Sequence, residues 1–543
     1  MTRSEALAAA QESARGWDVI VIGGGATGLG TAVDAAARGY RTLLLEQNDF
    51  AKATSSRSTK LIHGGIRYLR QANVSLVRES LIERGLLFRN APHLVRSRTF
   101  VVPNHRRLDA AYYGAGLKLY DLLAGRLSLG PSKLISREET LQLLPTLRPE
   151  GLRGGVRYLD GQFDDARLAV CLLRTLADLG GTGANYVRVV SLLKSPGRVC
   201  GVAAWDEESG NEFEIRARAV INATGVFADA MRHLDAADSR PLVTLSQGAH
   251  VVLDKSFLPG DSALMIPETD DGRVLFAIPW LNRVVVGTTD TAVAEAGLEP
   301  RPLDEEIEFL LQHASRYLTK TPTRRDILSA FAGLRPLAAT GRKRNTSEIS
   351  RGYALSVSSS GLITITGGKW TTYRKMGEAA VALAAEVGGL KKAPPRTREL
   401  KLHGWSEEAR DDSHWRAYGA DLGMVQALLQ EHSDWNQALH PRLPYTLGEV
   451  VWAVRHEMAR TVEDVLARRT RALILDARAS LEAAPHVAAL MAKELGRDER
   501  WVAEQSSAFA ELARGYLPGQ SRTQPFAVSN RLFNSFNDST HLT

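Results

Sequence analysis

One stretch limits what this chain can fold into: Asp18-Val-Ile-Val-Ile-Gly-Gly-Gly-Ala-Thr-Gly-Leu-Gly30. Four apolar β-formers, Val19 to Ile22, read as a buried parallel strand. Glycines follow at once, and a helical pattern then runs from about Gly28 to Arg38. Gly23, Gly25 and Gly28 fit G-x-G-x-x-G between a strand and a helix, the context that a dinucleotide site requires. Gly23 allows the tight turn, Gly25 admits a pyrophosphate to the backbone, and Gly28 lets the helix lie close on the strand. The helix N-terminus presents unpaired N–H groups to the phosphates. A second strand, Arg41 to Glu46, ends in an acid roughly 20 residues past the glycines, placed to bind a ribose hydroxyl pair. The competing reading is a glycine-rich turn in another α/β protein.

With 543 residues, 44% hydrophobic and 24% charged, the chain has room for two or three ordinary globular domains. Its two cysteines, Cys171 and Cys200, exclude a disulfide framework and form no metal motif, which points to a reducing compartment. A net charge of +7 favours anionic partners, with phosphorylated substrates and anionic lipid ahead of nucleic acid, for which no module is present. An inert basic surface is the alternative. No apolar run reaches the roughly 18 residues of a spanning helix, and Met1 to Gly16 does not read as a secretory signal.

A hydroxyl-dense loop, Thr54-Ser-Ser-Arg-Ser-Thr59, leads into Lys60-Leu-Ile-His-Gly-Gly-Ile-Arg-Tyr-Leu69, where Arg67 beside Tyr68 suits an anion. Residues 74 to 90 have helical spacing, and Leu117, Leu119, Tyr120 and Leu122 make an apolar helix that either packs or touches a membrane. Asp164 or Asp165 caps the helix that follows. Ala219-Val-Ile-Asn-Ala-Thr-Gly225 is a second strand-to-helix turn suited to the same dinucleotide. Residues 242 to 290 alternate like a sheet that forms a substrate wall. Arg335 precedes a proline, so its backbone is extended. A further strand is expected to begin at Ile349-Ser-Arg351. Leu362 to Arg374 repeats the opening device, with Gly367-Gly368 aiming a helix N-terminus at an anion or a polarised ring edge.

Residues 386–398 read as a linker, and the chain beyond is helical. Thr446-Leu-Gly-Glu449 is a capping box. Val450, Val454, Met458, Val462 and Leu466 then predict one amphipathic helix, with Arg455, His456, Arg460, Arg468, Arg469 and Arg471 on a solvated or lipid-facing side. Residues 519–543 lack periodicity and are expected to be disordered.

Taken together, these motifs resemble the FAD-dependent glycerol-3-phosphate dehydrogenases. The matching strings are Val21 to Gly28, Thr54 to Tyr68, Phe163 to Arg167, Asn222 to Gly225, Gly287 to Asp290, Gly333 to Pro336 and Gly367 to Arg374, in family order, with Val451 to Glu457 and Ala467 to Arg471 in the C-terminal part. No D-x-[DN]-x-[DN]-G calcium loop is present, so a bacterial form without calcium control matches better than the mitochondrial one. The resemblance implies an α/β fold: a Rossmann-like FAD-binding domain, an antiparallel-sheet substrate domain and a C-terminal helical cap. The expected division is 1–16 extension; 17–100, 155–240 and 335–385 FAD domain; 101–154 and 241–334 substrate domain; 399–518 helical domain.

By the same resemblance, Gly23, Gly25, Gly28, Glu46, Ser55, Ser58, Lys60, Leu61 and Thr224 contact FAD, and Gly368 and Thr371 sit by the flavin ring. Arg67, Tyr68, Arg351 and Lys369 would hold the phosphate of glycerol 3-phosphate, since guanidinium forks and an ammonium suit a dianion. Alcohol oxidation needs a base and a cation near the developing alkoxide. His250 is the candidate base, Arg335 the candidate cation, and Asp290 orients or assists. The family carries Gly-Ser-His where this chain has Gly248-Ala-His250, and the other reading of His250 is a core histidine at a strand end. No metal is expected. The family passes its electrons to a membrane quinone as a peripheral enzyme on the inner face of the cytoplasmic membrane, which adds an anionic lipid surface as partner and leaves a homodimer open. An oxidase making peroxide and an inactive flavoprotein are the alternatives.

Overall fold

The computed structural model describes residues 1–12, 16–65, 73–338, 352–407 and 413–519. Arg67, Tyr68, Arg351 and nearly all of the 519–543 tail lie outside them.

The opening strand Trp17–Ile22 sits centrally in the first sheet, parallel to Glu212–Asn222 on one side and Thr42–Leu45 on the other. Thr182–Ala184 extends one edge in parallel. Ile363–Gly367 extends the other in parallel, and Tyr353–Val357 closes it antiparallel. Strands buried on both faces read as continuous apolar runs, which is why Val19 to Ile22 and Leu43 to Leu45 lack alternation. The helices Ala26–Ala37, Asp165–Asp178 and Tyr373–Val387 cover this sheet. A Cβ on Gly28 would stand 1.8 Å from the Gly23 carbonyl oxygen, so only glycine permits this closeness of helix and strand. Asp164, not Asp165, caps the Asp165–Asp178 helix, accepting from the amides of Ala166 and Arg167 at 3.1 Å each.

The second sheet runs Thr291–Val293, Val243–Asp254, Arg283–Gly287, Leu275–Trp280, Ala263–Ile266, Val95–Asn104, Gly154–Phe163, Leu61–Ile62. It is mixed rather than purely antiparallel, because Ala263–Ile266 pairs with Val95–Asn104 in parallel. Val243–Asp254 also pairs antiparallel along its length with Ile327–Ala338, setting Ser246 opposite Arg335, Gly248 opposite Gly333 and His250 opposite Phe331. Alternation sends Ala249, Val251 and Leu253 into a core shared with the helix Asp304–Ser315, and turns Ser246, Gly248 and His250 the other way.

The C-terminal layer packs its apolar core on Val252, Trp280, Val285 and Phe331 of the second sheet. Its capping box at Thr446 forms as expected, but the long amphipathic helix does not. The helix Leu447–His456 ends, Met458 takes φ +55°, and Asp464–Arg469 is a π-helical turn. Arg468, Arg469 and Arg471 are therefore buried, not solvated. The reason is electrostatic: their carboxylate partners lie in the interior, on the dinucleotide-binding side. No helix among the described residues is long and apolar enough to cross a membrane.

Candidate active site

Between the two sheets lies a cleft of about 2630 Å³. That exceeds the roughly 300–1,000 Å³ of an ordinary ligand pocket, so it can take a long cofactor together with a small substrate. Gly23, Gly25, Glu46, Ser55, Ser58, Leu61, Thr224, Gly368 and Thr371 all line it, as do His250, Arg335 and Lys369. Gly28, Lys60 and Asp290 stand behind its wall.

The cradle is built from strand ends. Gly23 turns the chain at φ +107°, and a Cβ there would stand 2.7 Å from the Ala223 carbonyl oxygen. At the end of the next strand, the Glu46 carboxylate accepts from the amides of Gly24 at 2.6 Å and Asn48 at 2.8 Å. Burial pushes this carboxyl up, and the two N–H donors pull against it. The Ser55 hydroxyl accepts from the Ala26 amide at 2.9 Å, tying the hydroxyl-dense loop to the helix start. The Trp370 indole donates to the Ser55 carbonyl at 2.8 Å and the Thr371 hydroxyl to the His63 carbonyl at 3.3 Å, which brings the third glycine turn to the same loop. Thr224 donates from both its amide and its hydroxyl to the Asn222 side chain. A glycine turn that no larger residue fits, and an acid at the second strand end, suit FAD.

Lys60 is fully buried, and its ammonium donates to Asp165 at 2.7 Å and to the Ser56 carbonyl at 2.8 Å. Burial brings this amine down to about 7, opposed by Asp165 and aided by the charge of Arg471. Asp165 also accepts from the Ser58 hydroxyl at 2.7 Å and from Arg471 at 3.0 Å. Lys60 thus bolts the hydroxyl-dense loop down from beneath, joined there by an arginine of the C-terminal layer.

The candidate catalytic groups come from the second sheet. Arg335 donates to the Thr288 hydroxyl at 3.0 Å and the Thr289 carbonyl at 3.1 Å, and lies 3.6 Å from Asp290. Asp290, almost wholly buried, also accepts from the Ser246 hydroxyl, so it orients the guanidinium from behind. Gly248 makes room, since a Cβ there would stand 2.2 Å from Arg335 Nη2. His250 stacks on Phe331 at 4.7 Å with its planes 8° apart, and its Nε2 is 2.9 Å from Thr59 Oγ1. Burial holds the imidazole well below its ordinary value, and the charges of Arg335 and Lys60 add to this. Lys369 opens the turn Trp370–Thr372.

Several of these partners escaped the sequence reading. Thr59 sits in the string singled out, with no sign of which group it meets. Arg57, whose guanidinium pairs with Glu299 and reaches the Tyr516 hydroxyl at 3.4 Å, carries no local sign of either partner. Asp49 takes both Arg468 and Arg469, again without local signal.

Residues 18–374 match the model of the FAD dependent oxidoreductase family, and residues 363–502 match that of the C-terminal domain of alpha-glycerophosphate oxidase. The chain is 39% identical to human mitochondrial glycerol-3-phosphate dehydrogenase over 92% of this chain and 73% of that protein. It is 37% identical to the Arabidopsis thaliana mitochondrial enzyme over 96% and 88%. The FAD complex of Bacillus halodurans glycerol-3-phosphate dehydrogenase superposes with a TM-score of 0.79 at 29% identity, covering 96% of this chain and 99% of that one. With the cradle described above, these matches make FAD the cofactor and place the chain in the FAD-dependent glycerol-3-phosphate dehydrogenase family.

Proposed function

We propose that this chain oxidises sn-glycerol 3-phosphate to dihydroxyacetone phosphate and delivers the electrons to a membrane quinone. The observation that carries the reading is the single sheet face holding Arg335 and His250, turned into the same cleft as the glycine cradle and Lys369. Bound FAD would supply the two-electron oxidant. Lys369, with Arg67, Tyr68 and Arg351, would hold the phosphate by charge-assisted hydrogen bonds. Arg335, fixed by Asp290, opposes the charge that develops on the alcohol oxygen, and His250, held neutral by burial, takes the proton.

For the membrane side, Leu108, Tyr112, Leu119 and Leu122 are exposed along one stripe of the helix Asp109–Ala124 and its lead-in, while Leu117 and Tyr120 are buried opposite. Arg106, Arg107, Lys118, Arg126 and Lys133, on this helix or near it in the chain, are exposed as well. An apolar stripe with exposed basic residues suits peripheral attachment to an anionic lipid surface, here the inner face of the cytoplasmic membrane. Anaerobic mixing with glycerol 3-phosphate tests the reading: the yellow spectrum bleaches, and added quinone restores it faster than oxygen does. An unchanged spectrum refutes the substrate. Faster recovery with oxygen, accompanied by peroxide, makes the protein an oxidase instead.

A further inference from the structure

The environment of His250 leaves it one polar approach. Phe331 covers one face of the ring. A Cβ on Gly287 would stand 2.1 Å from its Cδ2, so that edge is closed by backbone. Nδ1 is buried with no hydrogen-bond partner, and the whole residue is 2% exposed. Nε2 alone meets a polar atom, the Thr59 hydroxyl at 2.9 Å. Thr59 is half-buried and lines the cleft. Both residues line the cleft, and that hydroxyl is the polar group in contact with the imidazole there.

We propose that Thr59 is a proton relay between the substrate's alcohol and His250. The inference rests on His250 being the base. The substrate O–H bond breaks as a Thr59 Oγ–H bond forms, and the original Thr59 O–H proton passes to Nε2. The C–H electron pair leaves as hydride to the oxidant, FAD, and the carbonyl forms. After product departs, the hydroxyl returns the proton to the cleft. The lone pair must therefore be at Nε2, with the resting proton on Nδ1. Thr59 is held for this work by its neighbours: Ser58 and Lys60 both bond Asp165. The charged groups facing the ring are Arg335 from its strand, Lys60 from the loop and Asp165 from the helix start. Burial and the Arg335 charge both disfavour the imidazolium, so the ring hands its proton back.

The test is the flavin reduction rate on rapid anaerobic mixing with saturating glycerol 3-phosphate, in Thr59→Val, Thr59→Ala, Thr59→Ser and His250→Gln. Loss of the hydroxyl in the Val and Ala variants is expected to slow reduction about 10²-fold, with apparent substrate affinity within about twofold and the Ser variant recovering to within about threefold. The native rate should bend with pH only where Lys60 titrates, near 7, whereas the Val variant should keep rising above it, about tenfold per pH unit, as hydroxide takes over. Imidazole ¹⁵N shifts should place the resting proton on Nδ1. A native rate and a native pH profile in Thr59→Val overturn the relay, as does a Ser variant no faster than Val, a resting proton on Nε2, or loss of flavin from both Val and Ala variants. A native rate in His250→Gln would instead show that the histidine is not the base.

Discussion

Replacing Glu457 by Gln probes the seam between the C-terminal layer and the cofactor-binding side. The Glu457 carboxylate is 1% exposed and receives the Arg167 fork at 2.7 and 2.8 Å, with the Trp452 indole at 3.0 Å. Burial alone would push this carboxyl up, but the Arg167 charge and fork bring it down to about 2. Being held near 2 instead of 4.5 corresponds to about 3 kcal/mol of preference for the ionised pair. Removing one partner of a buried pair costs about 3–5 kcal/mol, so the two routes agree. At about 2.1 cal/mol/K per residue, the full chain would lose only about 3 °C of Tm if it melts as one unit, and a C-terminal layer of roughly 120 residues melting alone would lose about 12 °C. The sign with pH follows from a depressed carboxyl. The stabilisation is complete above about 4.5 and is lost as pH falls toward 2, so the gap between native and Glu457→Gln shrinks to about 2 kcal/mol by about pH 3.5. Scanning calorimetry at pH 7 and pH 3.5 measures both. The double variant Arg167→Met, Glu457→Gln, which removes both charges, should recover most of the loss. Coincident melting at pH 7, or a gap that widens on acidification, would refute the reasoning.

Gly28→Ala should come out colourless, because its Cβ would lie 1.8 Å from the Gly23 oxygen and must lift the helix from the cradle; Gly116→Ala, with nothing within 4 Å, should keep its flavin. The flavin-to-protein ratio decides. Gly287→Ala should retain FAD but reduce it at least about tenfold more slowly, since the new methyl displaces the ring of His250, the proposed base. Leu108→Asp with Leu122→Asp should leave flavin reduction by glycerol 3-phosphate intact while lowering co-sedimentation with anionic vesicles about tenfold or more, given two apolar side chains removed from the proposed lipid contact.

What the sequence disclosed depended on how local each signal was. The opening cradle was legible because its strand, turn and helix are consecutive and each glycine answers a local steric demand. The pairing of Ser246 with Arg335 and His250 with Phe331 was not, since register between strands some 80 to 90 residues apart leaves no periodic trace. The stripe from Val450 to Leu466 misled for a related reason. Its spacing fits one helix, but the carboxylates that call the chain inward are remote: Arg167 is 290 residues from Glu457, and Asp49 is 420 from Arg469. A run of arginines looks solvated until its acids are found.

Those arginines bear on the chemistry. Arg471 donates to the Ser56 carbonyl at 2.7 Å and to Asp165, the same carboxylate that takes Lys60 and Ser58. Thr59 lies between Ser58 and Lys60 and meets His250. Three side chains on one carboxylate leave the loop little freedom, and one of the three belongs to the C-terminal layer. Arg468 and Arg469 repeat the device at Asp49, three residues past Glu46. Each contact trades the hydration of a guanidinium for a fixed partner, a poor bargain for stability alone. The return is geometric: both ends of the loop, near Glu46 and at Thr59, are registered against a layer built more than 400 residues later in the chain.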